Sequence, residues 1–394
     1  MTGGSAAPFW ARRRPASGGR GLLARWRGPA GTAPGSGPRP ARGVAGITRW
    51  VLLRVAAAVA AIAVVLLLAG FLLARQAGGP SAGWARSGGD DAVWVVPGPL
   101  PAGGGAAALA GRIRASGIGE VYVLAGRFGP RGNLAGPPAA AGGLLASLRA
   151  ALPRVRVYAW LAGTAGGSQL DLDAAATRNA IVRSAADVLR AGFGGLQIDI
   201  AQVPDGDQGL LSLLGMLREL PALRSVPLSV TAPKLQPLPG LDVPAAVLAG
   251  HPVFWTSGYL TRVAGLASQV AVMIYNTGMP FPSWYSGYVA RETSIALRAV
   301  PARTGLLFGV PAFAASNAGH HGSAETVAAA IRGIRVALTA SGHPRPLLGV
   351  GLAAGGPSAG PSGLPGPSGP SGGGAGPAAG DWSAYESGWV RPLV

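Results

Sequence analysis

The chain has 394 residues, 49% hydrophobic and 12% charged, with 65 Gly, 35 Pro, no Cys and a formal charge of +18. That length holds one large domain or two small ones, and a chain without cysteine has no disulfides, no thiolate chemistry and no cysteine-ligated zinc. The positive charge does not signify nucleic acid: ten arginines lie at or before Arg54, no acidic residue precedes Asp90, and the remainder carries +18 − 10 = +8 with no stripe of basic residues interleaved with aromatics.

Residues 1–50 are mainly Arg, Gly, Pro and Ala with little apolar periodicity, which predicts a disordered basic tail. Residues 51–75 predict a transmembrane helix. Its centre, Val55–Ala74, is twenty uncharged residues rich in Ala, Val and Leu, bounded by Arg54 and Arg75. At about 1.5 Å per residue it crosses a hydrocarbon layer of roughly 30 Å. A cleaved signal peptide has a shorter apolar run nearer the start, so this reads as a signal anchor. The arginine excess ahead of it places the amino end in the cytoplasm and the rest outside, as a single-pass protein of the cell membrane.

Residues 76–90 form a short Gly/Ser linker, and 91–394 the folded domain. In it, apolar runs alternate with helical spacing. The runs are Val93–Val96, Val121–Ala125, Val155–Leu161, Leu196–Ile200, Pro227–Ala232, Gln269–Tyr275, Gly305–Val310 and Leu347–Ala353. Sets such as Leu144/Leu145/Leu148/Leu152 and Val327/Ile331/Ile334/Leu338 mark the helices between them. Continuous apolar strands alternating with amphipathic helices predict a parallel sheet covered by helices. Eight such units fit an α/β fold of the (β/α)8 TIM-barrel type. An open doubly wound sheet is the alternative, without a glycine fingerprint in the first strand–helix turn to favour it. Residues 355–380, almost wholly Gly, Pro, Ser and Ala, predict a flexible insertion before a last helix around Asp381–Trp389.

Chemistry in such a barrel sits at the carboxyl ends of the strands. The third strand ends at Trp160, the fourth carries Asp199 inside an apolar run, the fifth leads to Lys234, the only lysine, and the sixth to Tyr275 and Asn276. A carboxylate inside an apolar run is costly unless paired or used; the alternative for Asp199 is a hydrogen bond to loop backbone. Asp, Lys, Tyr, Asn and aromatic side chains facing one cleft suit a sugar, whose faces stack on rings while its hydroxyls take hydrogen bonds. Asp205 and Asp207 follow on the next loop as further candidate acids, with turn chemistry as the alternative. Trp284, Tyr285 and Tyr288 could form a sugar platform or pack a helix. His320 and His321 are adjacent and point apart, which predicts a solvated loop rather than a metal pair. No cofactor and no metal site are expected.

Gly195-Leu196-Gln197-Ile198-Asp199-Ile200-Ala201 resembles the D-G-x-D-x-D-x-E strand of the glycoside hydrolase family 18 barrels, the chitinase-like superfamily, and Met273-Ile274-Tyr275-Asn276 resembles its M-x-Y-D. Ser229–Lys234 and Gly309–Phe313 are similar to the frame of bacterial chitinase-like barrels. The resemblance spans roughly residues 90–390. It implies a substrate-assisted glycosidase in which the substrate's acetamido group attacks and the motif's glutamate protonates the glycosidic oxygen. Here that glutamate's place is Ala201, the earlier aspartates are Gly194 and Gln197, and the second motif's aspartate is Asn276; Asp199 and Tyr275 remain. On this basis Asp199, with Asp205 and Asp207 behind it, is the candidate catalytic group, and Trp160, Gln197, Lys234, Tyr275 and Asn276 are the candidate substrate contacts. The resemblance implies engagement of a cell-envelope or extracellular amino-sugar glycan, with catalysis weakened or lost at Ala201. A non-enzymatic surface scaffold for a protein partner is the alternative.

Overall fold

A computed structural model describes residues 42–97, 105–135, 138–237, 246, 249–317 and 319–353. The predicted tail up to residue 41, the 355–380 insertion and the helix at Asp381–Trp389 lie outside these residues. The chain divides into two units, Met1–Ala61 and Ile62–Val394.

Helix α1 (Arg42–Ala77) contains the predicted span and starts before it. Its stretch Thr48–Ala77 is long and apolar enough to cross a membrane. Ile62, Val65, Leu66 and Phe71 lie bare on its surface. Toward its end the helix meets the barrel. A Cβ on Gly70 would stand 2.0 Å from the Trp284 ring, and one on Gly287 would stand 2.0 Å from the Leu73 carbonyl oxygen, so only glycine allows this approach. The Gly/Ser stretch that follows is pinned down: Arg332 donates to the Ala77 oxygen at 3.0 Å and the Gly79 oxygen at 2.9 Å, and Ala82 N donates to Thr339 Oγ1 at 2.8 Å.

Eight strands then form a closed parallel barrel: β1 (Ala92–Val95), β2 (Glu120–Phe128), β3 (Arg156–Thr164), β4 (Gly195–Ala201), β5 (Leu228–Ala232), β6 (Gln269–Met273), β7 (Gly305–Pro311) and β8 (Leu348–Ala353). Closure is made by β1, whose Val93 pairs with Val121 of β2 on one side and Leu352 of β8 on the other. The helices between them are α2 (Gly105–Ser116), α3 (Pro138–Ala151), α4 (Ala175–Leu189), α5 (Gln208–Arg218), α6 (Ser257–Leu266), α7 (Pro282–Ala299) and α8 (Val327–Ser341). All eight predicted runs are strands, and the expected TIM barrel is the fold.

Both faces of each strand are covered, which is why the runs are continuously apolar. Residues such as Val121, Ile198, Val230 and Phe308 join the helix-facing core, while Trp94, Tyr122, Tyr158, Trp160, Met273 and Tyr275 fill the lumen. The large rings need glycine opposite them. A Cβ on Gly195 would lie 2.4 Å from the Tyr158 ring, and one on Gly351 2.2 Å from that of Trp94.

Candidate functional site

The lumen is polar at two levels. At its floor, where strands begin, Glu120 is buried under a cluster of donors. Tyr158 OH donates to its Oε1 at 2.7 Å, Gln269 Nε2 and Tyr122 OH reach Oε2 at 2.9 Å each, and Arg156 stands 3.4 Å away. Burial raises the Glu120 pKa against those hydrogen bonds. In this fold that end serves stability.

At the mouth, the period of two turns Gln197, Asp199 and Ala201 of β4 inward together. Gln197 is the lower of the three, accepting from Trp94 Nε1 at 2.7 Å and facing Thr231 Oγ1 at 3.4 Å. Trp160 Nε1 donates to Asp199 Oδ2 at 2.9 Å, while Oδ1 makes no hydrogen bond among the described residues. The bond Asp199 makes is therefore to a lumen side chain and not to loop backbone. Burial lifts its pKa well above the usual carboxylate range, opposed by Trp160, Thr231 and the charge of Arg127. One carboxyl oxygen of Asp199 is thus held by Trp160 and the other is left for a further partner.

Past the end of β5, Lys234 Nζ donates to the backbone oxygens of Asn276 at 2.9 Å and Tyr275 at 3.4 Å. Burial lowers its pKa, and the charges of Glu292 and Glu325 oppose that shift. Asn276 has a left-handed backbone (φ 56°), and its Oδ1 lacks a hydrogen bond among the described residues. The Tyr275 and Phe313 rings meet edge-on at 5.8 Å. Trp160 thus bonds Asp199 on neighbouring strands, Gln197 lies below them in the lumen, and Lys234 is tied to the backbone of Tyr275 and Asn276 in the loop past β6.

The two loop aspartates are engaged elsewhere. Asp205 Oδ1 accepts from Thr256 N at 2.7 Å and Thr256 Oγ1 at 3.0 Å, tying two loops together. Asp207 caps α5 by accepting from Leu210 N at 2.6 Å. Tyr285 and Tyr288 are buried in α7, the packing role of the two weighed for them.

Two buried acids, Glu292 and Glu325, escaped sequence reasoning. Glu292 of α7 accepts from Leu235 N at 3.1 Å and from Tyr288 OH. Glu325 accepts from Thr277 N at 3.1 Å and Gly278 N at 2.9 Å, and His320 Nδ1 lies 3.1 Å from it. The two acids fasten the loops after β5 and β6, and the charges of both act on Lys234. His320 is fully buried against Glu325 and Phe313, which corrects the expectation of a solvated loop. Among the described residues no group of three or more His, Asp or Glu is placed to hold a metal ion.

Burial pushes the Glu292 pKa up to about 7, against Tyr288, the Leu235 N–H and Lys234. A carboxyl raised in the folded state favours its neutral form. Its contribution is full below the unfolded value near 4.5 and is lost as pH rises through about 7. The fold therefore loses stability across that window, by on the order of 3 kcal/mol. Glu292→Gln is expected to flatten this slope, read as unfolding midpoint against pH; an unchanged slope would assign it to another group.

A groove of about 510 Å³ lies on the outer wall between α6 and α7, lined by Gln76, Thr261, Arg291 and Arg298 among others. None of the mouth residues lines it.

Fold and mouth together define a (β/α)8 barrel with a polar, aromatic cluster where such barrels carry their sites. No protein-family model and no curated protein matches the sequence. Solved structures do resemble the fold. The spore cortex-lytic enzyme SleL of Bacillus cereus is 12% identical with a TM-score of 0.49, covering 68% of this chain and 70% of its own. The group IV chitinase of Ostrinia furnacalis is 18% identical at 0.40, covering 56% and 66%. A family 18 chitinase of Cycas revoluta, solved with (GlcNAc)3, is 18% identical at 0.41, covering 56% and 68%. At these values the likeness concerns the course of the barrel alone.

Proposed function

We propose that this chain is held in the cell membrane by one span, amino end in the cytoplasm and barrel outside, and that the mouth engages an amino-sugar glycan of the envelope or its surroundings with hydrolysis weakened or lost. The observation that carries the reading is Asp199: a buried acid at the carboxyl end of β4, one oxygen held by Trp160 and the other without a hydrogen bond among the described residues. It lies in the strand resembling the family 18 motif, two residues before Ala201. That second oxygen can hydrogen-bond an acetamido group. The methyl of Ala201 cannot protonate a leaving oxygen, and losing general acid catalysis costs roughly 10²–10⁴-fold. Asp205 and Asp207 are committed to a loop tie and a helix cap.

The test uses the full chain in detergent micelles with labelled N-acetylglucosamine oligomers and peptidoglycan fragments, reading binding and hydrolysis separately. Binding is expected, with little or no turnover. Asp199→Ala is expected to weaken it about fivefold, the worth of one hydrogen bond of about 1 kcal/mol. Neither binding nor turnover would sink the glycan reading.

One observation favours the scaffold alternative. Gln197, Asp199 and Trp160 are 0% exposed and Tyr275 3%, so the cleft is closed by its own side chains. A folded chain that leaves every saccharide unbound would support a protein-binding surface instead.

A further inference from the structure

We infer that the mouth of the barrel opens toward the bilayer, and that the glycan it takes is a saccharide carried on a lipid. This rests on the anchored, glycan-engaging reading above and names its substrate class. The direction of α1 against the barrel helices carries the argument. Gly70 lies under Trp284 in the first turn of α7, and Leu73 lies against Gly287 one turn on. Farther along, Arg332 of α8 holds Ala77 and Gly79, and Thr339, near the end of α8, takes Ala82. The chain then passes Gly88, whose N–H bonds the Leu348 oxygen at the start of β8, and enters β1. From Gly70 to Gly88 it therefore descends beside α7 and α8 in their own direction.

In a parallel barrel those helices run from the carboxyl ends of the strands back to the floor, because each leaves one strand's end and leads to the next strand's start. The stretch of α1 from Ile62 to Ala69 thus lies on the mouth side. It is the part that is apolar and uncovered: Ile62, Val64, Val65, Leu66, Leu67 and Leu68 are 56–65% exposed. Such a surface belongs in lipid, which sets the bilayer over the mouth.

The rim agrees. Phe281, just before α7, is 53% exposed and meets the Trp284 ring edge-on at 5.1 Å. Both stand at the level of Gly70, inside the apolar run that ends at Ala74, about 6 Å farther along the helix. Trp favours that depth, at the boundary of lipid and water, and the exposed Phe281 ring adds apolar surface beside it. A polymer standing clear of the membrane has to enter between rim and bilayer. A saccharide joined to a lipid is already there.

The chain has no cysteine, so single labels can be placed on the full protein in phosphatidylcholine vesicles containing nitroxide lipids. Ser283→Cys marks the mouth side and Ala302→Cys the floor, both at exposed positions. Fluorescence at 283 is expected to be quenched several-fold more than at 302. Equal quenching, or more at 302, overturns the orientation. A chain that does not float with vesicles overturns the anchored reading instead. For the substrate, an N-acetylglucosamine tetramer is joined to lipid either directly or through a long ethylene glycol spacer, so that both forms share the membrane. The directly joined form is expected to bind about tenfold more tightly. Equal or reversed affinity overturns the substrate class, and binding of neither overturns the glycan reading itself.

Discussion

Ala201→Glu is expected to give a chain that hydrolyses N-acetylglucosamine oligomers about 10²–10⁴-fold faster than its parent, the range that one positioned proton donor supplies. Ala201 is the last residue of β4, pairs with Thr164 of β3 and faces the lumen two places beyond Asp199. A glutamate there points into the same mouth. Burial would raise its pKa, as it does that of Asp199, leaving it protonated and able to donate. Gly194, Gln197 and Asn276 are unchanged in this variant, so the gain belongs at the lower end of the range. Ala201 is 7% exposed, and the added bulk is expected to cost about 1–3 kcal/mol of stability. Release of labelled product at equal folded concentration is the measurement. If a folded variant shows no gain over the parent, the mouth does not position an amino-sugar substrate.

Glu120→Ala is expected to destabilise the barrel by about 3–5 kcal/mol, the usual cost of removing one partner from a buried polar cluster. The hydroxyl of Tyr158 and the amide of Gln269 lose their acceptor in a sealed lumen, and each unsatisfied donor costs about 1–3 kcal/mol. Glu120→Gln keeps the shape and one acceptor oxygen, so it should cost clearly less. Because burial raises the Glu120 pKa, its favourable contribution is present below the unfolded value and is lost as pH rises through the folded one. The parent should therefore weaken with rising pH at this site, and the glutamine variant should not. Chemical unfolding at several pH values reads both effects. Equal losses for Ala and Gln would mean that cavity volume matters here more than hydrogen bonding.

The barrel was legible because strands buried on both faces leave continuous apolar runs, and α8 shows its period plainly in Val327, Ile331, Ile334 and Leu338. Strand lengths were less so. Both β2 and β3 run on past the apolar stretch, through Arg127 and Thr164, where the ladder persists although hydrophobicity stops. The sixth run breaks off at Met273, short of the predicted Tyr275. The short parallel pair Lys234–Leu235 with Phe254–Trp255 carries no pattern to read. At the site, Asp199 and Trp160 could be placed because strand alternation and register put them on neighbouring strands facing inward. Glu292, His320 and Glu325 could not. They come from a helix and a loop far apart in sequence; the two acids act on Lys234, and His320 reaches Glu325, only once the wall closes. The ambiguity at Asp205 and Asp207 had the same origin, since Thr256 lies on a different loop from either.

The seam of the barrel joins Ala92–Trp94 to Gly351–Ala353. During synthesis the apolar helix emerges first and β8 last, so β1 must wait for almost the whole domain before its second neighbour exists. Long-range pairing of this kind is slow to form, and an unpaired strand edge invites association with other chains. The ordering of the seam is therefore the step at which a truncated product would fail.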